Sequence, residues 1–273
     1  MDSVLALFTC FNRKEKTRQA VKGLVEGNPG LSFTFVVVDD NSRDGTPQML
    51  AEEDFGCPIH LVHGDGNSFY SGGMILGMEY IFARNLEADY LLMMNDDVQF
   101  YPDCIRKLAI QSKAQGNAVI VGATCDNGHQ LSYSAIEYLK GIHYRQIPPG
   151  ETSVDADTMN ANCVLIPFAW FRKAGVMDSH YRHSLGDFDY GLALRDCGAK
   201  LHVSRDYVGI CCDNPQTGTW HDRSLSRWQR LKKKESVKGD PIAPWFYYLK
   251  KHFGLYHAVK SSVTPYIRIL LGL

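Results

Sequence analysis

Two apolar segments that each end in a cluster of acids constrain the fold of this chain more than any other feature. Residues 33–38 and 90–94 are continuously apolar or β-branched, and each is long enough for one strand. Continuous runs of this kind are typical of strands in a sheet that is covered on both faces. Ligands of such sheets bind beyond the carboxyl ends of the strands. The polar residues that follow the two runs are Asp39, Asp40, Asn95, Asp96 and Asp97.

The remainder of the first 125 residues alternates between short apolar runs and segments suited to helices. The additional predicted strands cover residues 4–8, 59–62 and 119–121. The predicted helices cover residues 14–25, 46–53 and 72–84, and a further helix begins at Pro102, where proline is tolerated. Strands that alternate with helices in this way predict a layered α/β domain.

The pattern is weaker beyond residue 125. Residues 126–157 carry turn signals such as Pro148-Pro149-Gly150, so we expect a hairpin or a mobile loop there. The later predicted elements are short helices over residues 169–175 and 187–197, a strand over residues 200–203, and a helical tail from residue 224.

The composition is that of a globular protein and excludes several classes. Of the 273 residues, 45% are hydrophobic and 22% are charged, which argues against a disordered chain, a fibre or a coiled coil. The formal net charge is −1, so the chain lacks a basic field and we expect no nucleic-acid partner. The eight cysteines show no C-x-x-C spacing, and the first residues lack the pattern of a signal peptide. We therefore expect a protein of the reducing cytoplasm.

Asp96 and Asp97 have the chemistry of ligands for a hard divalent cation. Carboxylate oxygens suit Mg²⁺ or Mn²⁺, and an ion held by few protein ligands keeps positions open for phosphate oxygens. The alternative is a solvated turn, because Asn and Asp favour turns. Both interpretations stay open on the residues alone.

The cluster at residues 39–46 also has two interpretations. Ser42 or Asp44 could cap the following helix, whereas Asp39 or Asp40 could accept hydrogen bonds from a nucleoside base or ribose. The chain contains no G-x-x-x-x-G-K-[ST] and no G-x-G-x-x-G sequence, so the common phosphate-loop and dinucleotide motifs are absent.

A third acidic pair, Asp187 and Asp189, stands at the start of a predicted helix. The helix dipole favours acids at this position, which is a sufficient structural explanation. The functional interpretation makes one of them a general base, because removing a proton from a sugar hydroxyl requires a positioned carboxylate.

Five segments, in this order, resemble the motifs of a known family. They are residues 9–13 (T-x-x-N-R), 37–46 (V-V-D-[ND]-x-S-x-D-G-T), 67–74 (N-x-G-x-x-G-G-x), 95–97 (the metal-binding D-x-D) and 187–190 (E-D-x-D-[LY]). The family is the inverting nucleotide-sugar glycosyltransferases of the GT-A type, family 2. The branch most resembled comprises the rhamnosyl- and galactosyltransferases of bacterial surface polysaccharides, and the resemblance covers about residues 4–221.

The resemblance implies a GT-A fold, which is a Rossmann-like mixed sheet flanked by helices. It implies a glycosyltransferase domain over residues 1–222, followed by a helical C-terminal extension over residues 223–273. Within the domain, residues 1–125 would bind the nucleotide sugar and residues 126–222 would form the acceptor half.

The resemblance also implies the substrates and the site. The donor would be a UDP- or dTDP-sugar, and the acceptor a saccharide or a lipid-linked saccharide. Asp187 would be the catalytic base, and Asp97, joined by His221, would hold Mn²⁺ or Mg²⁺. The nucleotide-binding residues would be Thr9, Asn12, Arg13, Asp39, Asp40, Asn67, Gly73, Asn95 and Asp96. The chain departs from the motifs at Gly186 and Asn95, each of which replaces an acid.

Two other classes of function remain open, and so does the question of whether the C-terminal tail contacts a membrane. A nucleotidyltransferase that makes nucleotide sugars would use a similar sheet, and a non-catalytic nucleotide-sugar-binding module would need no base. The tail carries the basic run 232–234 and the apolar segment 266–271, which could form a peripheral contact with the inner face of the plasma membrane. The alternative for the tail is a solvated charged face on a packing helix.

Overall fold

A computed structural model describes residues 1–212 and 216–273 of the chain. The strands are β1 (Asp2–Cys10), β2 (Leu31–Asp39), β3 (Ile59–His63), β4 (Tyr90–Met94), β5 (Gln99–Phe100), β6 (Val119–Cys125), β7 (Leu131–Tyr133), β8 (Ala135–Lys140), β9 (His143–Gln146), β10 (Thr158–Met159), β11 (Cys163–Pro167) and β12 (Leu201–Ile210). The helices are α1 (Lys14–Gly27), α2 (Thr46–Glu52), α3 (Phe69–Ala83), α4 (Cys104–Ala114), α5 (Phe168–Ala174), α6 (Gly186–Asp196), α7 (Arg227–Lys234), α8 (Ile242–Phe253) and α9 (Leu255–Leu271).

The central sheet is mixed. Its strand order is β3-β2-β1-β4-β11-β6-β12-β5, with β7 beside β6. Strands β3, β2, β1 and β4 run parallel to one another, whereas β11 runs antiparallel to both of its neighbours, β4 and β6. The predicted α/β architecture with a mixed sheet is therefore confirmed.

Both faces of the sheet are covered, as the continuous apolar strands predict. On β2, Val36 and Val38 pack into a core shared with α3, α5 and α6. Phe35 and Val37 pack into a second core on the opposite face, shared with α1, α2 and α4. Successive side chains of a strand point to opposite faces, so only a strand that is apolar throughout can serve two cores.

The strand register brings the polar clusters to one edge of the sheet. Cys10 at the end of β1 pairs with Asp39 at the end of β2. Met94 at the end of β4 pairs with Cys163, the first residue of the antiparallel strand β11. The residues that follow β4 and those that precede β11 therefore lie side by side.

The segment of residues 126–157 contains three strands, β7, β8 and β9. Strands β8 and β9 form an antiparallel hairpin whose turn contains Gly141 at φ 60°, a conformation that glycine adopts without steric cost. Strand β10 completes a separate three-stranded sheet in the order β10-β8-β9. The hairpin interpretation is confirmed, and that of a mobile loop is wrong for β8 and β9.

The last two helices pack against the segment that leads into α6. Tyr248 and Leu249 of α8 and Ala258 of α9 form a third apolar core with Tyr181. The helical tail is thus present, while the domain boundaries at residues 125 and 222 stay predictions. None of the helices in the described ranges combines the length and the hydrophobicity needed to cross a bilayer.

Candidate active site

Arg13 connects the acids that follow β4 to the end of β1. Its Nη1 lies 3.0 Å from Oδ1 of Asp96 and 3.1 Å from Oδ2 of Asp97. Asp96 is buried and also accepts a hydrogen bond of 2.9 Å from the hydroxyl of Thr17. Burial raises the pKa of Asp96 above its usual value, although the Arg13 charge opposes that rise. Of the two acids, Asp97 is the more accessible, with 30% of its side chain exposed.

The loops after β1 and β2 are joined at the same edge. The backbone N–H of Asn12 donates to the Ser42 hydroxyl at 2.8 Å, and Asn12 Oδ1 accepts from the Arg43 N–H at 2.8 Å. Asp39 is buried, and its Oδ2 accepts from the Ser42 N–H at 2.9 Å. Asn12, Arg13 and Asp39 therefore lie close together, as the nucleotide-pocket prediction requires.

Asp40 has a different setting from Asp39. Its Oδ1 accepts hydrogen bonds from the N–H groups of Gly66 and Ser68, and its Oδ2 accepts from the N–H of Phe69. These donors belong to the loop that starts α3, so Asp40 fixes that loop. Asn67 is exposed in the same loop.

Gly73 lets α3 approach the end of β1. A Cβ atom on Gly73 would lie 2.6 Å from Oγ1 of Thr9, which is closer than packed atoms allow. The glycine that the family motif has at position 73 is therefore explained by the close packing of α3 against β1. Thr9 stands one residue before the β1 end.

A chain of contacts joins the acids after β4 to Asp187. The amide of Asn95 donates to Oδ1 of Asn162, and the Asn95 N–H donates to the Asn162 carbonyl at 3.1 Å. The neighbour of Asn162, Ala161, donates its N–H to Oδ2 of Asp187 at 3.1 Å. These contacts connect the segment after β4, which contains Asp97, to the start of α6, which contains Asp187.

Asp187 is an unpaired carboxylate. Besides the bond from Ala161, its Oδ1 accepts from the N–H of Phe188 at 2.9 Å, and no cation in the described ranges forms an ion pair with it. Burial raises the pKa of Asp187 to about 6, because the two backbone donors only partly replace the lost hydration. A carboxylate with this pKa is ionised at neutral pH and can still accept a proton efficiently.

Asp189 is neutralised by the C-terminal helices. Lys251 Nζ lies 2.8 Å from its Oδ1, and His252 Nε2 lies 2.7 Å from the same oxygen. The hydroxyl of Tyr181 donates to it at 3.2 Å. Burial alone would raise the pKa of Asp189, but the hydrogen bonds from His252 and Lys251 hold it below its usual value. Asp189 therefore anchors α8 to α6.

Gly186 replaces the family's acid because a side chain has no room there. A Cβ atom on Gly186 would lie 2.4 Å from Oγ of Ser71 and 2.8 Å from Cε of Met177. The preceding residue, Leu185, has a φ of 72°, which is unusual for a bulky side chain. Strained backbone of this kind clusters at functional sites.

Asp187 faces a cavity of about 1010 Å³ between the central sheet, the β8–β9 hairpin and helices α7–α9. Asn95, which follows β4, and Asn162, which precedes β11, line the cavity, as does His221. The His221 ring packs on Trp220 with ring centroids 3.6 Å apart. The predicted site residues in the cavity lining are thus Asn95, Asp187 and His221.

Two polar atoms in the cavity wall have no hydrogen-bond partner among the described residues. They are Oδ1 of Asn160 and Nδ1 of His183. Buried polar atoms normally have partners, so unpaired ones in a cavity wall mark positions where a bound molecule or water is expected. The motifs gave no signal for Asn160 or Asn162, because both lie before an antiparallel strand that a repeating βα pattern does not predict.

A metal site is only partly formed by the chain itself. No group of three or more His, Cys, Asp or Glu side chains suited to a metal occurs in residues 1–212 and 216–273. Mg²⁺ is commonly bound through one or two carboxylates plus substrate phosphates, and the accessible carboxylate of Asp97 fits that requirement. Burial lowers the pKa of His221, and the charges of Arg230 and Arg268 help to lower it further. His221 fits less well as a ligand, because these two charges would also repel a cation.

The chain is similar to known glycosyltransferases in sequence. The family model described as "Glycosyl transferase family 2" matches residues 6–176. The low-salt glycan biosynthesis hexosyltransferase Agl10 of Haloferax volcanii is 24% identical over 173 residues, which cover 61% of this chain and 54% of that protein. The dolichol-phosphate mannosyltransferase of Pyrococcus furiosus is 23% identical over 128 residues, which cover 47% and 35%. The matches thus span about half of the first relative and about a third of the second.

Solved structures share the fold at low sequence identity. The mannosyltransferase PcManGT from Pyrobaculum calidifontis, in complex with GDP-Man and Mn²⁺, aligns with a TM-score of 0.59 at 10% identity and covers 99% of this chain and 73% of its own. S. aureus TarS 1–349 in complex with UDP-GlcNAc also aligns with a TM-score of 0.59 at 10% identity, with coverages of 98% and 81%.

Proposed function

The chain belongs to glycosyl transferase family 2, and from that premise we propose that it transfers a hexose from a nucleoside-diphosphate sugar to an acceptor hydroxyl, with inversion at the anomeric carbon. The observation that carries the proposal is the carboxylate of Asp187. It lies in the wall of a large cavity, has no cationic partner within the described ranges, and has a pKa raised to about 6 by burial. A general base works best when its pKa lies near the working pH.

The transfer is a single displacement. Asp187 accepts the proton of the acceptor hydroxyl while the hydroxyl oxygen forms a bond to the anomeric carbon. The bond between that carbon and the diphosphate oxygen breaks on the opposite face, and its electron pair leaves with the nucleoside diphosphate. No bond between sugar and protein forms, so the configuration at the anomeric carbon inverts.

The nucleotide would bind at the edge formed by the ends of β1, β2 and β4. The buried carboxylate of Asp39 and the joined loops of Asn12 and Arg13 support this position, because they place hydrogen-bonding groups beyond the strand ends. Two proteins of this fold bind GDP-Man and UDP-GlcNAc. A UDP- or dTDP-sugar remains our proposal for the donor.

A divalent cation, Mn²⁺ or Mg²⁺, would be held by Asp97 together with the donor's diphosphate, with His221 as a weaker candidate ligand. When bound, such an ion supplies positive charge that stabilises the leaving phosphate. Arg13, which contacts both Asp96 and Asp97, holds the Asp97 carboxylate at the strand end. The Mn²⁺ in a mannosyltransferase of the same fold supports a metal here.

The acceptor would be a saccharide or a lipid-linked saccharide used in surface polysaccharide synthesis in the cytoplasm. Helix α9 supports a peripheral membrane contact because one of its faces exposes an apolar stripe. That stripe consists of Tyr256, Val259, Val263, Ile267 and Leu270. An apolar stripe beside basic residues such as Lys260 is typical of helices that lie on anionic lipid.

Sedimentation with anionic vesicles tests the membrane contact. Val259→Asp combined with Val263→Asp should abolish binding to the vesicles. Leu139→Asp, which changes an exposed apolar residue at the end of β8, should leave it unchanged. Equal sedimentation of the unmodified protein, the double variant and Leu139→Asp would show that α9 does not bind the membrane.

Family membership favours sugar transfer over the nucleotidyltransferase alternative, and turnover separates it from a non-catalytic binding module. The test is release of nucleoside diphosphate from a panel of nucleotide sugars with Mn²⁺, followed by NMR of the product. We expect an anomeric configuration opposite to that of the donor. Retention of configuration would refute a single displacement, and binding without any turnover would favour the module.

A further inference from the structure

The C-terminal side of the cavity is strongly cationic. Residues 216–273 contribute five cationic side chains to its lining and one acidic side chain, Asp240. The cations are Arg223, Arg230, Lys234, Lys260 and Arg268. We call these five residues the cationic wall. This excess of positive charge is local to the cavity, because the chain as a whole carries a formal net charge of −1.

The cationic wall lacks the ion pairs that are frequent elsewhere in the molecule. In residues 1–212 and 216–273, no Asp or Glu side chain lies within 4.0 Å of any of its five charged groups, whereas arginines such as Arg13, Arg145 and Arg195 all contact Asp or Glu carboxylates. Arg230 donates instead to O of Leu273, the last residue of the sequence, at 3.0 Å. Asp240 accepts a hydrogen bond from the Trp220 indole N–H at 3.3 Å. Within the described ranges, the positive charges of the wall are therefore not paired with Asp or Glu side chains.

Two members of the cationic wall are buried with unused hydrogen-bond donors. Arg230 is 5% exposed and donates to the backbone oxygens of Trp220 and Leu273, which leaves part of its five-donor fork free. Lys234 is 2% exposed and lies over the rings of Trp220 and Tyr266. It donates to the carbonyl of Asp240 at 2.6 Å, its one hydrogen-bond acceptor in the described ranges. Burying charges that are not neutralised is costly, so their retention in a cavity wall indicates an anionic ligand.

The position of the wall assigns the anion to the acceptor. The cavity that contains the wall also contains Asp187. Of the residues assigned to the donor or its cation, Asn95 and His221 line the cavity, whereas Arg13, Asp39 and Asp97 at the nucleotide edge are not part of its lining. An anion on the wall would thus lie on the side of the base from which the acceptor hydroxyl attacks. Phosphate groups suit the wall better than a single carboxylate, because they carry more charge and more acceptor oxygens for Arg and Lys donors.

We propose that the cationic wall binds a phosphate or diphosphate group of the acceptor, while the acceptor's sugar hydroxyl reaches Asp187. This inference rests on the proposed glycosyl transfer and narrows its acceptor to a phosphate-bearing saccharide. The donor's diphosphate is the other source of the same chemistry, and the test separates the two.

Calorimetry with inorganic pyrophosphate as the probe tests the wall directly. The titration is run with the full chain in Mg²⁺, with and without a saturating concentration of the nucleoside diphosphate that the donor screen identifies. The variants are Arg223→Gln and Arg268→Gln, both at exposed positions that should not disturb folding. The matched control is Arg205→Gln, an exposed cation of β12 outside the cavity lining.

We expect pyrophosphate to bind in the presence of the nucleotide, and each wall variant to weaken that binding at least about tenfold, as loss of one charge-assisted hydrogen bond predicts. Arg205→Gln should bind as the unmodified protein does. Absence of pyrophosphate binding would overturn the proposal. Displacement of pyrophosphate by the nucleotide would assign the wall to the donor and would overturn it too.

Donor hydrolysis, measured in parallel, keeps this result distinct from the proposed function. If nucleotide sugars are turned over and the wall variants bind pyrophosphate normally, the acceptor assignment fails and the transferase stands. If no nucleotide sugar is turned over by any of the proteins, the proposed function fails whatever the wall binds.

Discussion

Asp187 and Asp189 lie two residues apart on the first turn of α6, yet they have opposite electrostatic surroundings. Asp187 receives hydrogen bonds from the backbone N–H groups of Ala161 and Phe188 and forms no ion pair within the described ranges. Asp189 contacts Lys251 and His252. Burial therefore raises the pKa of the first carboxyl, whereas the hydrogen bonds from α8 hold the pKa of the second below its usual value. Pairs of acids whose pKa values are driven apart are typical of sites that need one base and one anchor.

The first prediction concerns pH. We expect kcat/KM to be constant near neutral pH and to fall about tenfold per unit below pH 6, because protonated Asp187 cannot accept the hydroxyl proton. The measurement is a pH profile of transfer at limiting acceptor, with circular dichroism at each pH to verify folding. A rate that stays constant from pH 7 to 5 would exclude Asp187 as the base.

The second prediction concerns loss of the base. Asp187→Asn should lower kcat by roughly 10²–10⁴-fold while donor binding is unchanged, since the amide keeps the shape of the side chain but accepts no proton. Calorimetry with the donor nucleotide and Mn²⁺, beside a transfer assay, separates the two effects. Asp196→Asn, an exposed acid on the same helix, is the control and should behave as the unmodified protein. Full activity of Asp187→Asn would require another base.

The third prediction concerns the cation. Asp97→Ala should remove the dependence of donor binding on Mn²⁺ and weaken that binding at least about tenfold, because the accessible carboxylate is the ligand we assign. Arg13 keeps Asp96 as its partner, so the strand end should stay folded. Glu26→Ala, an exposed acid of α1, is the control. An unchanged Mn²⁺ dependence in Asp97→Ala would place the metal elsewhere.

The fourth prediction concerns the anchor. Asp189→Asn should lower the free energy of unfolding by about 1–3 kcal/mol at pH 7, because His252 loses its carboxylate partner and Lys251 keeps only that of Asp178. The lowered pKa of Asp189 means that its contribution is present above the unfolded-state pKa, about 3.9, and is lost as pH falls through the lower native value.

Denaturant unfolding at several pH values measures this effect. The difference between Asp189→Asn and the unmodified protein should therefore shrink as the pH is lowered below about 4. In a double-mutant cycle with Lys251→Gln, the two losses should be less than additive because the residues are in contact. Additive losses would show that the interaction between Asp189 and Lys251 contributes nothing to the free energy of unfolding.

The fifth prediction concerns Gly186. Gly186→Ala should destabilise the protein by about 1–3 kcal/mol, since the new methyl group would collide with Ser71 and Met177. Gly23→Ala is the matched control, because no atom lies within 4 Å of a Cβ there and alanine favours the helix by about 0.5–1 kcal/mol. Thermal melts of both variants check the sign of each change. A stable Gly186→Ala would mean that packing does not exclude the family's acid.

Much of the sheet and its acidic edge could be predicted because both depend on local pattern. Continuous apolar strands predict a sheet that is buried on both faces. Acids that follow these strands predict the edge of the sheet at which ligands bind. The contact between Asn95 and Asn162 could not be predicted, because it depends on the antiparallel insertion of β11 beside β4. Pairing between distant strands leaves no periodic signal near either residue.

The burial of individual side chains in the C-terminal tail could not be predicted from the sequence either. The run at residues 232–234 has the composition of a solvated or membrane-facing segment, and yet Lys234 is buried over the rings of Trp220 and Tyr266. Charge runs give no indication of which member turns inward, because that depends on where the following helices pack. Gly186 is similar, since its role depends on Ser71 and Met177 of distant segments.

The link from Asp189 to Lys251 and His252 has a consequence for how selectivity can arise. Detaching α8 from α6 would expose a carboxylate that is now 4% exposed and would break its ion pairs, so the two helices should move as one rigid unit. We therefore expect the distance from Asp187 to the α8 side of the cavity to be set by the fold before a substrate binds. Such an enzyme would select substrates by whether their length fits this distance, and selection would require no closing motion.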